Sequence, residues 1–291
     1  MIKWIVCDMD GTLLDPHDKI TPFTQEILMQ AQQKGIRLIL ASGRSYSRLQ
    51  AYADQLQMER YSGMFIEING TAVYDLKDKK REIIQRLNQR DIQLLFDYFR
   101  QFDVEIMIYH DQEIRTFIPK SVEKLKREYR KQAKLSDDYP WTGGAWQLCG
   151  DSRDGYPIQR YIGHLPPFPF EANKIVITQE KEEVARAFHQ FQQDLSSRYE
   201  ITRSCPRLAE INPKGISKGA ALKRLMERCG IESNEVLVFG DGENDMTMFD
   251  CSDYAYAMGN AEQHVKDRAK FVCEDNAHDG LAKIVKEFVY D

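Results

Sequence analysis

The run Ile2-Lys3-Trp4-Ile5-Val6-Cys7 leads directly into Asp8-Met9-Asp10-Gly11-Thr12. A short, nearly continuous apolar run is the mark of a strand buried on both faces, as in a parallel sheet. It stops at a polar, glycine-containing turn, so two carboxylates two residues apart sit at a strand's C-terminal end, where open α/β sheets bind ligands. A plain turn rich in Asp and Gly is the competing reading. A calcium loop starting at Asp8 is excluded, because its sixth position is Leu13 instead of glycine and its twelfth is Lys19 instead of glutamate.

Working outward, Thr21-Pro22 supplies an N-cap and a favourable first helical residue, and Phe23, Ile27, Leu28 and Ala31 recur at helical spacing. The pattern predicts a helix over about 22–34. Ile36–Ala41 reads as a second buried strand, Ser42-Gly43-Arg44 as its turn, and Tyr46–Leu56 as the next helix. Met64–Ile68 and Thr71–Tyr74 flank Asn69-Gly70, a hairpin signal. From 83 to 205 the pattern is α+β: strands at 104–109, 114–117 and 174–178, helices at 91–101, 121–134 and 181–196, and a long loop or irregular extension over 135–172 that includes a Pro166-Pro167 step. Alternation returns with a helix at 218–229, a strand at Glu235–Phe239 and a last helix near 278–289. The expected fold is thus α/β, a Rossmann-like doubly wound parallel sheet from 1–82 and 206–291, with an α+β domain inserted at 83–205.

The 291 residues suffice for two domains with real cores. A net charge of −5, from 40 basic and 45 acidic residues, argues against nucleic acid or anionic lipid as the main partner and favours small substrates. Seven Lys or Arg between 120 and 134 are read as the solvated face of a helix with Val122, Leu125 and Tyr129 inward. The six cysteines form no C-x-x-C pair, no apolar run reaches membrane-spanning length, and the first residues do not read as a signal peptide, so the expectation is a cytoplasmic protein with free thiols. Neither G-x-G-x-x-G nor G-x-x-x-x-G-K-[ST] occurs, which disfavours a dinucleotide enzyme or a P-loop kinase, and no H-x-x-x-H pair supports a zinc hydrolase.

Three further segments fall at expected strand or helix ends: Ser42-Gly43-Arg44, Lys218 before Gly219-Ala220-Ala221-Leu222, and Gly240-Asp241-Gly242-Glu243-Asn244-Asp245. Together with Asp8-Met9-Asp10-Gly11-Thr12 they resemble the four motifs of the haloacid dehalogenase-like superfamily. Asn69-Gly70, Met258-Gly259-Asn260-Ala261 and the large insertion between the second and third motifs are similar to the Cof-type phosphatases.

That resemblance implies that Asp8 attacks phosphorus to give an aspartyl-phosphate and that Asp10 protonates the leaving alcohol, then activates water. It implies that Ser42, with the N–H groups of Gly43 and Arg44, holds phosphoryl oxygens, and that Lys218 holds the nucleophile and the phosphoryl group, Lys214 being a nearby competitor. Mg²⁺ is the implied cofactor, on Asp8, the Asp10 carbonyl and Asp241. Asp245 orients either a bound water or Lys218, Asn244 contacts phosphate or substrate, and Arg44 contacts substrate or pairs with a carboxylate. The inserted domain is the family's cap, and the expected partner is a small phosphorylated metabolite. A phosphomutase using the same intermediate, or a noncatalytic phosphometabolite sensor, fits the same residues.

Overall fold

A computed structural model describes residues 1–165 and 171–290, so the Pro166-Pro167 step lies outside the described residues. The strands are β1 (Trp4–Cys7), β2 (Arg37–Ala41), β3 (Met64–Glu67), β4 (Ala72–Asp75), β5 (Lys80–Ile83), β6 (Glu105–Tyr109), β7 (Glu113–Phe117), β8 (Ile158–Tyr161), β9 (Lys174–Thr178), β10 (Tyr199–Cys205), β11 (Leu208–Pro213), β12 (Val236–Gly240), β13 (Tyr254–Ala257) and β14 (Phe271–Val272). The helices are α1 (Pro22–Gln33), α2 (Tyr46–Gln55), α3 (Gln89–Phe99), α4 (Lys120–Gln132), α5 (Lys181–Leu195), α6 (Lys218–Cys229), α7 (Met246–Phe249), α8 (Gln263–Lys266) and α9 (Gly280–Tyr290).

The chain forms two compact units, Met1–Ile84 with Ile216–Asp291, and Gln85–Gly215. In the first, an eight-stranded sheet runs β14-β13-β12-β1-β2-β3-β4-β5, parallel except where β4 and β5 turn back antiparallel. Its central strands β1 and β12 are apolar throughout and β2 is apolar after Arg37, because successive residues point to opposite faces and both faces are covered. Ile5, Cys7, Leu38 and Leu40 pack with α1 and α9, while Trp4, Val6, Ile39 and Ala41 pack with residues of α6 and α7. Thr21 caps α1 by accepting from the Thr24 N–H at 3.1 Å, with Pro22 at the first helical position.

The second unit is a six-stranded sheet, β10-β11-β9-β6-β7-β8, mostly antiparallel, with α3 and α5 packed on one face through a core that includes Phe96, Phe99 and Phe191. The sequence reading returns the chain to the first unit at 206, whereas the structure returns it at 216. The difference is β11, which pairs with both β10 and β9 and so belongs to the second sheet. Within 135–172, where the sequence predicts only irregular chain, β8 pairs with β7.

Helix α4 also departs from expectation. Val122 is buried, but Leu125 is exposed, and the positions turned inward are Lys126 and Arg130. The Lys126 ammonium pairs with buried Glu105 and donates to the Trp141 carbonyl. Arg130 donates to the carbonyls of Tyr139 at 2.8 Å, Pro140 at 3.1 Å and Ser136 at 2.7 Å, and its guanidinium lies 4.4 Å from the Trp141 ring centroid. These two cations hold the irregular segment that follows α4, supplying donors to carbonyls that no strand satisfies. Burial raises the Glu105 pKa, and Lys126 pulls it back. Lys126→Met is expected to cost about 3 kcal/mol, because it strands a buried carboxylate, and Lys126→Met/Glu105→Gln to recover much of that. Urea unfolding of the two variants checks this; equal losses for both contradict it.

Candidate active site

Asp8, Ser42 and Asp241 each follow a strand's C-terminal end, on β1, β2 and β12, which are neighbours in the parallel sheet. Adjacent strands lie about 4.8 Å apart, so the topology gathers residues 233 positions apart in sequence onto one edge. Gly11 makes the first turn possible. Its φ is +78°, and a Cβ there would overlap the Asp241 carboxylate.

Lys218 opens α6, whose N-cap Ser217 accepts from the Ala220 N–H at 3.1 Å. The helix start can come this close to the Asn69-Gly70 loop only because position 70 lacks a Cβ, which would overlap the Ser217 carbonyl. Fully buried, the Lys218 ammonium donates to Asp8 at 2.5 Å and to Asp245 at 2.7 Å. Lys214 is elsewhere: in the second unit, paired with Glu200 at 3.1 Å. Burial alone would lower the Lys218 pKa, but Asp245 and Asp8 together raise it, so the group is an ammonium.

The acidic side of the site is crowded. Asp8, Asp241 and Asp245 present oxygens all within 4.8 Å of one another. Asp245 is committed: one oxygen takes Lys218, and the other accepts the N–H groups of Asp241 at 3.0 Å and Gly242 at 2.9 Å. Asp241 is oriented by the Thr12 hydroxyl at 2.8 Å and by the Asn260 amide at 3.4 Å, and Asn260 also donates to the Gly11 carbonyl at 2.9 Å. Thr12 and Asn260 escaped the sequence reading of the site, although Asn260 lies in the quoted Met258-Gly259-Asn260-Ala261 text.

Burial, followed by the surrounding carboxylates, pushes Asp8 well above the ordinary carboxylate range despite Lys218. Burial and Asp245 push Asp241 up to about 7. Such a cluster, hard oxygen donors with more negative charge than one ammonium neutralises, fits a small divalent cation, which the second oxygen of Asp8 and the remaining lone pairs of Asp241 would hold. The raised values carry a stability consequence. In metal-free protein Asp241 keeps its proton up to about pH 7, whereas the unfolded chain loses it near 3.8, so stability falls as pH rises between those values. Denaturant melts in chelator at about pH 5 and about pH 7.5 check the sign, the lower pH being the more stable, and a divalent cation should restore the loss at the higher pH. Equal midpoints in chelator contradict it.

The Asp10 carboxylate is not one of the three in this cluster, although its charge acts on Asp8 and Asp241. Its two carboxylate oxygens face the Arg44 guanidinium, Nε donating at 3.0 Å and Nη2 to the other oxygen. Arg44 also donates to the Tyr52 hydroxyl at 3.3 Å, so in this structure its partners are Asp10 and Tyr52. Ser42 is buried, and its Oγ accepts from the Arg44 backbone N–H at 3.1 Å, leaving its own hydrogen to donate. Asn244 donates to Asn69 at 3.1 Å, joining the loop after β3 to the loop after β12, so Asn69 does more than turn the hairpin. The geometry therefore brings Asp8, Asp241, Asp245 and Lys218 into one cluster and Asp10 onto Arg44.

A sequence profile of the haloacid dehalogenase-like hydrolases matches residues 5–143 and 160–285, nearly the whole chain. The chain belongs to the haloacid dehalogenase-like hydrolase family. Among curated relatives of this family, the 5-amino-6-(5-phospho-D-ribitylamino)uracil phosphatase YcsE of Bacillus subtilis strain 168 is 26% identical over 291 residues, covering 99% of this chain and 96% of its own. A haloacid dehalogenase-like hydrolase of Bacteroides thetaiotaomicron superposes with a TM-score of 0.74 at 26% identity, covering 99% of this chain and 100% of its own. The fold is also that of a subclass IIB sugar phosphatase, with a TM-score of 0.75 at 21% identity and 98% of each chain covered. By class the protein is a phosphatase of the haloacid dehalogenase-like hydrolase family.

Proposed function

We propose that this phosphatase hydrolyses small phosphorylated metabolites, sugar phosphates or related monoesters, through an aspartyl-phosphate on Asp8. The observation that carries the reading is the fixed Asp8 carboxylate: buried, held by Lys218 at 2.5 Å, at the end of β1 and two residues before a second carboxylate. An Asp8 oxygen attacks phosphorus as the ester oxygen departs, taking a proton from Asp10. Asp10, now a carboxylate, removes a proton from water as the water oxygen attacks phosphorus; the bond from phosphorus to the Asp8 oxygen breaks, the Asp8 carboxylate is regenerated and inorganic phosphate is released. Mg²⁺, held by Asp8, Asp241 and the Asp10 carbonyl, would supply positive charge beside the phosphoryl oxygens.

The remaining residues position and neutralise. Lys218 shares its charge between nucleophile and phosphoryl group, with Asp245 fixing its ammonium. Ser42, whose Oγ accepts the Arg44 N–H, donates its hydroxyl to a phosphoryl oxygen, and the Gly43 N–H flanks it. Arg44, donating to both oxygens of Asp10, holds its carboxylate form, the form that takes a proton from water, and Asn244, anchored on Asn69, lies beside the same edge. The unit Gln85–Gly215 corresponds to the family's cap. A phosphorylated polyol chain in the substrate of the Bacillus subtilis relative favours a monoester on a sugar-like alcohol. The cytoplasmic setting expected from unpaired cysteines belongs to this reading, as do the absences of nucleic acid and membrane partners.

The test is phosphate release from a panel of sugar phosphates, nucleotides and phosphorylated cofactors, with Mg²⁺ and with chelator. Metal-dependent release without an added acceptor, matching substrate loss, is expected. Substrate loss that requires a second alcohol and yields no inorganic phosphate would make the protein a mutase instead.

A further inference from the structure

We infer that Glu67 is a positioning residue for the turn Ser42-Gly43-Arg44, holding in place the groups that the functional reading above assigns to phosphate. This rests on that reading, since it concerns how the same turn is kept in shape.

Glu67 ends β3, and none of its surface reaches solvent. A carboxylate in such a place is costly unless its oxygens are satisfied. Two partners do this. One oxygen accepts from Arg81 Nε at 2.5 Å, while the other accepts from the Tyr46 backbone N–H at 2.7 Å and from Arg81 Nη2 at 3.2 Å. Tyr46 is the first residue of α2, and the N-cap residue Ser45 makes no side-chain capping bond. Its hydroxyl instead lies 3.0 Å from that of Ser47. A carboxylate from a neighbouring strand thus takes the place of the usual local cap, and its charge suits the positive end of the helix.

The geometry around Glu67 links this cap to the turn. The Ser42 N–H donates to the Ile66 carbonyl at 2.8 Å, the Ile68 N–H to the Arg44 carbonyl at 3.1 Å, and the Asn69 N–H to the Ser42 carbonyl at 2.9 Å. The turn is therefore stitched on both sides of residue 67, and the Glu67 side chain pins the helix into which the turn leads. Arg81, from β5, lies 5.0 Å over the Tyr46 ring, which stacks on Tyr74 at 5.3 Å. The fork of Arg81 keeps the carboxylate aimed at Tyr46, so a residue of the antiparallel edge helps to set where Ser42 Oγ points.

The test compares wild type, Glu67→Ala, Glu67→Gln and Arg81→Gln by calorimetric binding of orthophosphate to the Mg²⁺-loaded protein, by KM and kcat for p-nitrophenyl phosphate, and by Mg²⁺ affinity. All are measured well below each variant's unfolding midpoint. Glu67→Ala is expected to weaken orthophosphate binding and raise KM about tenfold, the effect of losing roughly one cap and one charged bond at the turn. Glu67→Gln, whose amide oxygen can still accept from Tyr46 and Arg81 Nη2 but which loses the charge and the acceptor for Arg81 Nε, falls between. Arg81→Gln moves in the same direction as Glu67→Ala and stands in for it if that variant does not fold. Mg²⁺ affinity stays within about twofold throughout, because the turn holds phosphate oxygens and not the cation. Orthophosphate binding at wild-type strength in the variants, with only their unfolding midpoints lowered, overturns the inference, as does a parallel loss of Mg²⁺ affinity. A wild-type protein that binds no orthophosphate overturns the functional reading together with it, so the two failures are told apart.

Discussion

Asp8→Asn should abolish metal-dependent phosphate release while the protein stays folded. The amide oxygen of asparagine is a poor nucleophile and carries no charge with which to attack phosphorus, so the loss expected is at least about 10⁴-fold in kcat. Folding survives for a reason visible in the site: Lys218 keeps its second partner, Asp245, at 2.7 Å, so its buried ammonium is not left alone. The substitution also removes one negative charge from a cluster in which burial and neighbouring carboxylates already press Asp8 toward its protonated form. The variant's unfolding midpoint in chelator is therefore expected to stay close to that of wild type. Single-turnover phosphate release and a parallel melt decide the matter. Wild-type turnover by the variant would remove Asp8 from the nucleophile's role, and loss of turnover through unfolding would show in the melt.

The two halves of the site differ in how far they could be read from the sequence. Asp8, Asp241 and Lys218 were legible because each sits in a short local text at an element end, and the rule that open α/β sheets use their C-terminal strand edge supplies the third dimension. The doubly wound sheet was legible for the same reason: runs such as Trp4–Cys7 and Val236–Gly240 are apolar at every position, which only a sheet covered on both faces explains. Thr12 and Asn260 were not. Thr12 lies 229 residues from the Asp241 it orients, and nothing local to a threonine after Asp-Gly announces that partner. Glu67 reads as one more polar residue at a strand end, since its two partners come from a helix start and from β5.

Helix α4 failed differently. The helix itself is there, but its inward face is not the expected one: Leu125 is exposed and Lys126 and Arg130 are buried, because the neutralising Glu105 and the carbonyls of residues 136–140 arrive from other parts of the chain. Strand β11 was lost to a boundary placed in the turn of its own hairpin with β10.

Lys218→Met is expected to produce the largest loss of stability that the site can suffer. The side chain has no solvent exposure, and its ammonium is the shared partner of Asp8 and Asp245. Methionine fills much the same volume, so packing changes little and the measured effect isolates the charge. Removing one member of a buried ion pair costs about 3–5 kcal/mol, because the carboxylates left behind have lost water and counter-charge alike. The deficit relative to wild type should shrink as pH falls, since protonation of the stranded carboxylates removes the charge that is destabilising. Lys218→Met/Asp245→Asn should regain part of the stability, the asparagine oxygen still accepting the N–H groups that Asp245 takes from Asp241 and Gly242. It should regain no activity, because the positive charge beside Asp8 is still missing. Denaturant unfolding at two pH values, run with phosphate release on the same preparations, separates the contributions: a pH-independent deficit would mean that packing and not charge is what Lys218 supplies, and activity returning in the double variant would remove its ammonium from the chemistry.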